Sequence, residues 1–419
     1  MRSMQNDNYN YSPRIAVIGG GAAGMMAAGT AVLYGAEVTV FESTDRLGKK
    51  LAITGKGRCN ITNNCTRDEF LENVTKNGRF LYAALSAFSC EDTINLFESL
   101  GVPVKTERGR RVFPVSDKAI DVVNAMRSYS SGARVVHHKV TDLRHDEDRF
   151  TVTAGKKEYS FDKVIIATGG KSYPLTGSDG SGYKLAMKLG HSVSELIPSL
   201  IPLTSHSPLC RDMQGLSLKN VKISIKDEAD KVLYSDFGEM MFAHFGVTGP
   251  TVLSASAHIR DYDITTLRLC IDLKPALDEK TLDERLLSDF RKNSNKDLIN
   301  ALGDLLPTKM IEPFIALSGI DGRKKINSIT KDERRVMLET LKSFEIPLDG
   351  YRPIEEAIIT SGGIEIKEIT PKTMESKLVP GLFFAGEVID VDAYTGGYNL
   401  QIAFSTGYLA GKSAAEAFY

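Results

Sequence analysis

One stretch, Arg14 to Glu42, limits what this chain can fold into more than any other. It opens with the apolar run Ile15-Ala16-Val17-Ile18, turns through Gly19-Gly20-Gly21-Ala22-Ala23-Gly24, and continues with small and apolar residues at helical spacing to about Leu33. A second β-rich run, Val38-Thr39-Val40-Phe41, ends in Glu42. The order strand, glycine turn, helix, strand is the opening of a Rossmann-type α/β fold. Gly19 permits the tight turn, Gly21 lets a pyrophosphate approach the backbone, and Gly24 lets the helix pack on the strand, so a diphosphate rests on the unpaired N–H groups of the helix start. Glu42, eighteen residues beyond Gly24, is placed to accept hydrogen bonds from ribose hydroxyls. It also disfavours a 2′-phosphate there, because two anions would face each other. The expectation is a bound dinucleotide.

With 419 residues the chain exceeds one ordinary core and implies two or three domains. A net charge of −1 gives no support to general nucleic-acid or membrane-surface binding, so the expected partner is a small molecule. The longest apolar stretch, Ala22 to Leu33, is too short to span a bilayer, and the first thirteen residues lack the pattern of a signal segment, which points to a cytoplasmic protein. Five scattered cysteines without a CxxC pair argue for free thiols, with no structural metal site.

Beyond Glu42, the loop Gly55-Lys56-Gly57-Arg58-Cys59-Asn60 has the donors to wrap a phosphorylated cofactor. Residues 66–101 read as helices, and Arg108, Arg110 and Arg111 beside Phe113 form a candidate contact for an anion or a substrate carboxylate. Residues 134–161 read as short strands making a hairpin-like insert. The run Lys163 to Ala167 reads as a strand buried on both faces, ending in Thr168-Gly169-Gly170, small enough for the backbone to touch a ligand. Gly177 to Gly182 opens a helix facing the cofactor or active site. From Ser192 short strands alternate with turns, and from about Asp278 to Phe344 the pattern is helical and charged. Within the strand-rich stretch, His244-Phe245-Gly246-Val247-Thr248-Gly249-Pro250 forms a shaped loop with donors. The closing stretch, Gly381 to Gln401, is a buried strand ending in Gly386-Glu387, then a glycine-rich turn into a helix. Glu387 is suited to a ribityl chain, and the helix start near Asn399 to the edge of a flavin that gains charge on reduction.

The segments Gly55 to Asn63, His244 to Pro250, Thr373 to Lys377 and Gly381 to Gln401 together resemble the bacterial NAD(P)/FAD-dependent oxidoreductases that include enzymes described as aminoacetone oxidase and as 3-dehydro-bile-acid Δ4,6-reductase. The resemblance implies a glutathione-reductase-like FAD-binding Rossmann domain from residues 1–191 and 357–419. It also implies an inserted β-barrel domain from 192–277 and 346–356, and a helical subdomain from 278–345. It implies non-covalent FAD held by Gly19, Gly21, Ala22, Gly24, Glu42, Lys49, Arg58, Asn60, Thr168, Gly169, Gly386, Glu387, Gly397, Asn399, Leu400 and Gln401. His244, Arg58 and Tyr398 are the candidate catalytic donors, and NAD(P)H is a candidate transient electron donor. A second nicotinamide-binding unit is absent from the sequence. Three functions follow: reduction of an activated C=C bond in an enone, oxidation of a small amine such as aminoacetone by O₂, or a tRNA-associated or non-catalytic flavoprotein.

Overall fold

The computed structural model describes residues 12–146 and 148–416. The chain forms two compact units: one takes the chain up to Pro198 together with the chain from Ile358, the other Ser199–Ala357. In the first unit, β1 (Arg14–Ile18) enters the turn, α1 (Ala22–Leu33) follows, and β2 (Glu37–Phe41) lies beside β1 in parallel. The helix α2 (Lys49–Ile53), the strands β3 (Arg134–Val136), β4 (Lys163–Ile166) and β5 (Leu382–Phe384), and the closing helix α3 (Tyr398–Glu416) complete the frame. The sheet is wholly parallel in the order β5-β4-β1-β2-β3. Ile15, Val17, Val164, Ile165, Phe383 and Phe384 are fully buried, which explains why β1, β4 and β5 read as unbroken apolar runs: helices cover a parallel sheet on both faces.

Helix α1 has no charged residue and is buried from Ala23 to Ala31. An all-apolar helix is stable only when surrounded, and α3 supplies one wall. A methyl group at Gly407 would lie 2.5 Å from the Ala23 carbonyl oxygen, and one at Gly411 2.3 Å from that of Ala27. Four residues apart, the two glycines share one face of α3 and let the backbones of the helices touch. This contact fastens the last twenty residues of the described chain to the first thirty.

Strand β3 departs from the sequence reading. Arg134–Val136 belongs to no insert; it pairs with Thr39–Phe41 of β2 as the edge of the main sheet. The insert is a separate antiparallel meander of Val140–Asp146, Arg149–Ala154 and Lys157–Phe161. A three-residue β-branched run fits either setting, and only the partner, distant in sequence, decides. Residues 66–101 likewise hold a short strand, Val74–Lys76, between their helices.

The second unit is built on a seven-stranded antiparallel sheet whose longest hairpin joins Ser217–Lys226 to Val232–Ala243. Helices Glu279–Lys292, Thr308–Ser318 and Lys331–Lys342 bury Leu286, Phe314 and Met337 in one core with Phe242 and Phe344 of that sheet. Ala243 pairs with Gly246, so His244 and Phe245 are the two residues of a tight hairpin turn. No helix among the described residues is long and apolar enough to cross a membrane.

Gly411→Ala should destabilise the protein by about 1–3 kcal/mol through overpacking of α3 on α1. Chemical denaturation of wild type and variant measures it. A change below about 0.5 kcal/mol, the usual range of surface substitutions, would mean that the helices do not meet at the backbone.

Candidate cofactor site

The carboxyl ends of β1, β2 and β4, the starts of α1 and α2, and the turn into α3 wall a cleft of about 1310 Å³, its mouth included, wholly within the first unit. Gly19, at φ +105°, sits so close to β4 that a methyl group there would lie 2.5 Å from the Ala167 carbonyl oxygen; its N–H donates to the Phe41 carbonyl at 2.8 Å. Gly24 lies beneath the turn, where a methyl group would fall 1.8 Å from the Gly19 carbonyl oxygen. These two positions bend the chain so that α1 begins under the end of β1. Gly21 is different: nothing among the described residues lies within 4 Å of a methyl group placed on it, and it caps α1 without any side-chain hydrogen bond or acidic residue in the first turn. The unpaired N–H groups and positive end of a 12-residue helix therefore open on the cleft, lined here by Gly19 to Ala23.

Two carboxylates face the cleft. Glu42, only 6% exposed, accepts on one oxygen from the Gly20 N–H at 2.9 Å and on the other from the Thr44 N–H at 2.7 Å and, weakly, the Ser43 hydroxyl at 3.5 Å. Each oxygen keeps a lone pair for a hydroxyl. Glu387 accepts from the Thr360 N–H at 2.9 Å and the Ser172 hydroxyl at 3.3 Å, and pairs with the Lys50 ammonium at 2.8 Å. Lys50 also donates to Ser172 at 2.7 Å, so residues from the beginning, middle and end of the chain fix one carboxylate. Asn399 spends its amide on the Ala393 N–H and on the Ala393 and Tyr394 carbonyls, shaping the turn that starts α3.

The fit of a flavin dinucleotide rests on hydroxyls left without partners. The Thr168 and Ser178 hydroxyls line the cleft, are buried, and make no hydrogen bond among the described residues. Buried polar atoms normally have partners; two orphans beside an uncapped helix start and two fixed carboxylates mark where a polar, phosphorylated ligand completes the structure. Apolar side chains such as Ile18, Phe41, Leu51, Val140 and Ile402 supply the rest of the wall.

Of the residues expected at the cofactor, Gly19, Gly21, Ala22, Glu42, Lys49, Thr168, Gly169, Glu387, Asn399 and Leu400 line this cleft. Gly24, Gly386 and Gly397 lie outside the lining as packing glycines; methyl groups on the last two would meet the Ala23 methyl at 2.7 Å and the Thr62 carbonyl oxygen at 2.3 Å. Gln401 is fully buried away from the cleft, bonded to Thr62, Thr93, Ser405 and the carbonyls of Phe88 and Ser89. Asn60 is outside the lining as well, its side-chain oxygen buried and without a hydrogen bond among the described residues. Arg58 is held by Glu107 and Asp117 at 2.5 Å each, which pushes its guanidinium pKa further above its already high value. Tyr398 packs edge-on against Phe70, and burial raises its phenol to about 12. His244 belongs to the second unit, where it is exposed. Lys50 escaped the sequence reading; its signal was position next to Lys49, since α2 turns one lysine toward Asp45 and the other toward Glu387.

The parallel sheet, glycine turn and acid-tipped second strand define a Rossmann-type nucleotide-binding flavoprotein. The chain belongs to the HI0933-like family: its residues 13–413 match the HI0933-like protein Rossmann domain. It is 30% identical over 415 residues to the 3-dehydro-bile acid delta(4,6)-reductase of Clostridium scindens, covering 96% of this chain and 99% of that one. It is 29% identical over 397 residues to the ribosomal RNA dihydrouridine synthase of Escherichia coli, covering 94% and 95%. Its fold is shared with 3-ketosteroid-delta4-(5alpha)-dehydrogenase from Rhodococcus jostii, at TM-score 0.52, 16% identity and 98% coverage of both chains. The protein is thus an FAD-dependent oxidoreductase.

Glu42→Arg should strip most FAD from the purified protein, read as the flavin-to-protein absorbance ratio, with circular dichroism unchanged. A full complement of tightly bound FAD in the variant would remove Glu42 from the ribose site.

Proposed function

We propose that the protein is an NAD(P)H-dependent reductase of a carbon–carbon double bond conjugated to a carbonyl. The observation that carries this reading is that two relatives, matched over nearly the whole chain at almost equal identity, bear names that describe one type of reaction. A bile-acid Δ4,6-reductase saturates C=C bonds in a 3-oxo steroid skeleton. Dihydrouridine is uridine whose C5=C6 bond, conjugated to the C4 carbonyl, has been saturated. In both the substrate gains a hydride at one carbon and a proton at its neighbour; in the reaction we propose, NAD(P)H gives up the hydride and leaves as NAD(P)⁺.

When bound, FAD supplies the atom that takes hydride from the nicotinamide and gives it to the substrate carbon. This chain's residues do the rest. The start of α1 binds the diphosphate, and Glu42 accepts from the ribose hydroxyls. Glu387, fixed by Lys50, Ser172 and the Thr360 N–H, orients the ribityl hydroxyls. The apolar walls exclude water, which strengthens each of these polar contacts. Arg58, locked between two carboxylates and unable to release a proton near neutrality, is a poor proton donor, and so is Tyr398, whose buried phenol is raised to about 12. For the proton that the substrate carbon receives we propose His244, an exposed imidazole.

Anaerobic stopped-flow absorbance tests the reading. NADH or NADPH should bleach the yellow protein, reoxidation by O₂ should be slow, and an enone or a uridine-containing RNA should restore the colour quickly. Bleaching by aminoacetone with fast reoxidation by O₂ would instead make the protein an amine oxidase. His244→Ala should leave FAD bound and slow the reoxidation by substrate by about 10²-fold or more; unchanged reoxidation would return His244 to a structural role.

A further inference from the structure

The first unit carries a cationic surface that cofactor binding does not use. Strands Val104–Glu107 and Arg111–Pro114 form a hairpin whose turn exposes Arg108, Arg110 and Arg111. The loop Thr54–Gly57 comes to the same place: a methyl group at Gly55 would lie 3.8 Å from the Phe113 ring, and Arg58 and Arg111 lie over that ring at 4.3 and 5.8 Å. Two long cations here hold left-handed backbone, Lys56 at φ +57° and Arg110 at φ +57°, beside Gly55, Gly57 and Gly109, which share that conformation. A bulky residue in this region costs on the order of 1–2 kcal/mol, and such strain collects where a side chain must point in a set direction.

The neighbouring acids do not neutralise the surface. Glu107 and Asp117 are taken by Arg58 and Lys105, and Glu69 pairs with Arg110 at 2.6 Å. Lys56 and Arg108 are exposed and have no ion-pair partner among the described residues, and Arg111 donates only to the Arg108 carbonyl and leans on Phe113. The surface adjoins the cleft by two routes. Thr54 lines the cleft two residues before Lys56. The Asn63 amide donates at 3.0 Å to the Gly109 carbonyl and at 3.1 Å to that of Gly396, three residues before cleft-lining Asn399.

We infer that Lys56, Arg108 and Arg111 dock the phosphate backbone of an RNA strand beside the cofactor cleft. The inference rests on the conjugated-C=C reading, with the uracil ring as acceptor. A small neutral enone needs no row of solvent-facing cations, whereas a strand with a phosphate at every nucleotide meets each of them, and arginine matches phosphate geometry. The net charge of −1 averages 52 cations against 53 carboxylates and does not oppose a local excess of this size. Fluorescence anisotropy of labelled oligouridine RNA with the FAD-loaded protein, titrated with NaCl, tests it. The double variant Arg108→Gln/Arg111→Gln should weaken binding on the order of tenfold or more at moderate salt and flatten the log–log salt slope by about 0.7 per lost contact. FAD content and bleaching by NADPH should stay unchanged, and Lys219→Gln/Lys331→Gln, which removes two exposed lysines of the second unit, should bind RNA like wild type. Equal affinity and slope in the arginine variant, or no binding by wild type, would overturn the inference. So would a raised KM for NADPH with RNA binding intact, which would make the surface a nicotinamide-phosphate contact. Failure of the C=C reading is seen separately, as absence of reoxidation by both enone and RNA.

Discussion

The structure depends on one backbone contact. A methyl group at Gly24 would come within 1.8 Å of the Gly19 carbonyl oxygen, so α1 has to begin directly beneath the end of β1. That placement aims the helix start at the cleft and turns the inner face of α1 toward α3. Gly407 and Gly411 then bring α3 down on the Ala23 and Ala27 carbonyls, and the turn before α3 delivers Asn399 and Leu400 to the same cleft. Residues more than three hundred apart in sequence form one site because α3 lacks side chains where it crosses α1.

The electrostatics of the cleft follow from the same arrangement. With an uncapped helix start on one wall, the two carboxylates have to be fixed so that they face a ligand and do not cap the helix themselves. Each is held by fixed donors: backbone N–H groups for Glu42, and an N–H, a hydroxyl and an ammonium for Glu387. Fixed in this way, the oxygens present their remaining lone pairs in set directions, the condition under which a hydroxyl-rich ligand is oriented as well as bound.

What was legible in the sequence was local. The glycine turn, Glu42, the buried strand ending at Thr168-Gly169 and the closing Gly386-Glu387 declare themselves by spacing and composition, and the structure brings the polar members of that set together. What was not legible needed a partner far along the chain. Arg134–Val136 shows nothing of β2 in its own residues, and Gln401 shows nothing of Thr62 and Thr93. Arg58 resembles a phosphate ligand until Glu107 and Asp117 are seen on either side of it. The three arginines at 108–111 could be counted in the sequence, but which of them a carboxylate neutralises depends on the fold of Arg67–Leu71, whose capping box holds Glu69 in place.

The orphaned hydroxyls couple the cofactor to the fold. A buried polar atom without a partner costs about 1–3 kcal/mol, and Thr168 and Ser178 both lie in the cleft wall. Against a net stability of roughly 5–15 kcal/mol for an ordinary domain, that cost is substantial, and the unpaired N–H groups at the start of α1 add to it. A ligand that supplies partners to all of them binds the folded chain and has nothing comparable to bind in the unfolded one. Its binding free energy therefore appears as stability of the first unit, growing with the logarithm of ligand concentration over Kd. The second unit, whose core of Leu286, Phe314, Met337 and Phe344 contains none of the cleft residues, has no such dependence built into it.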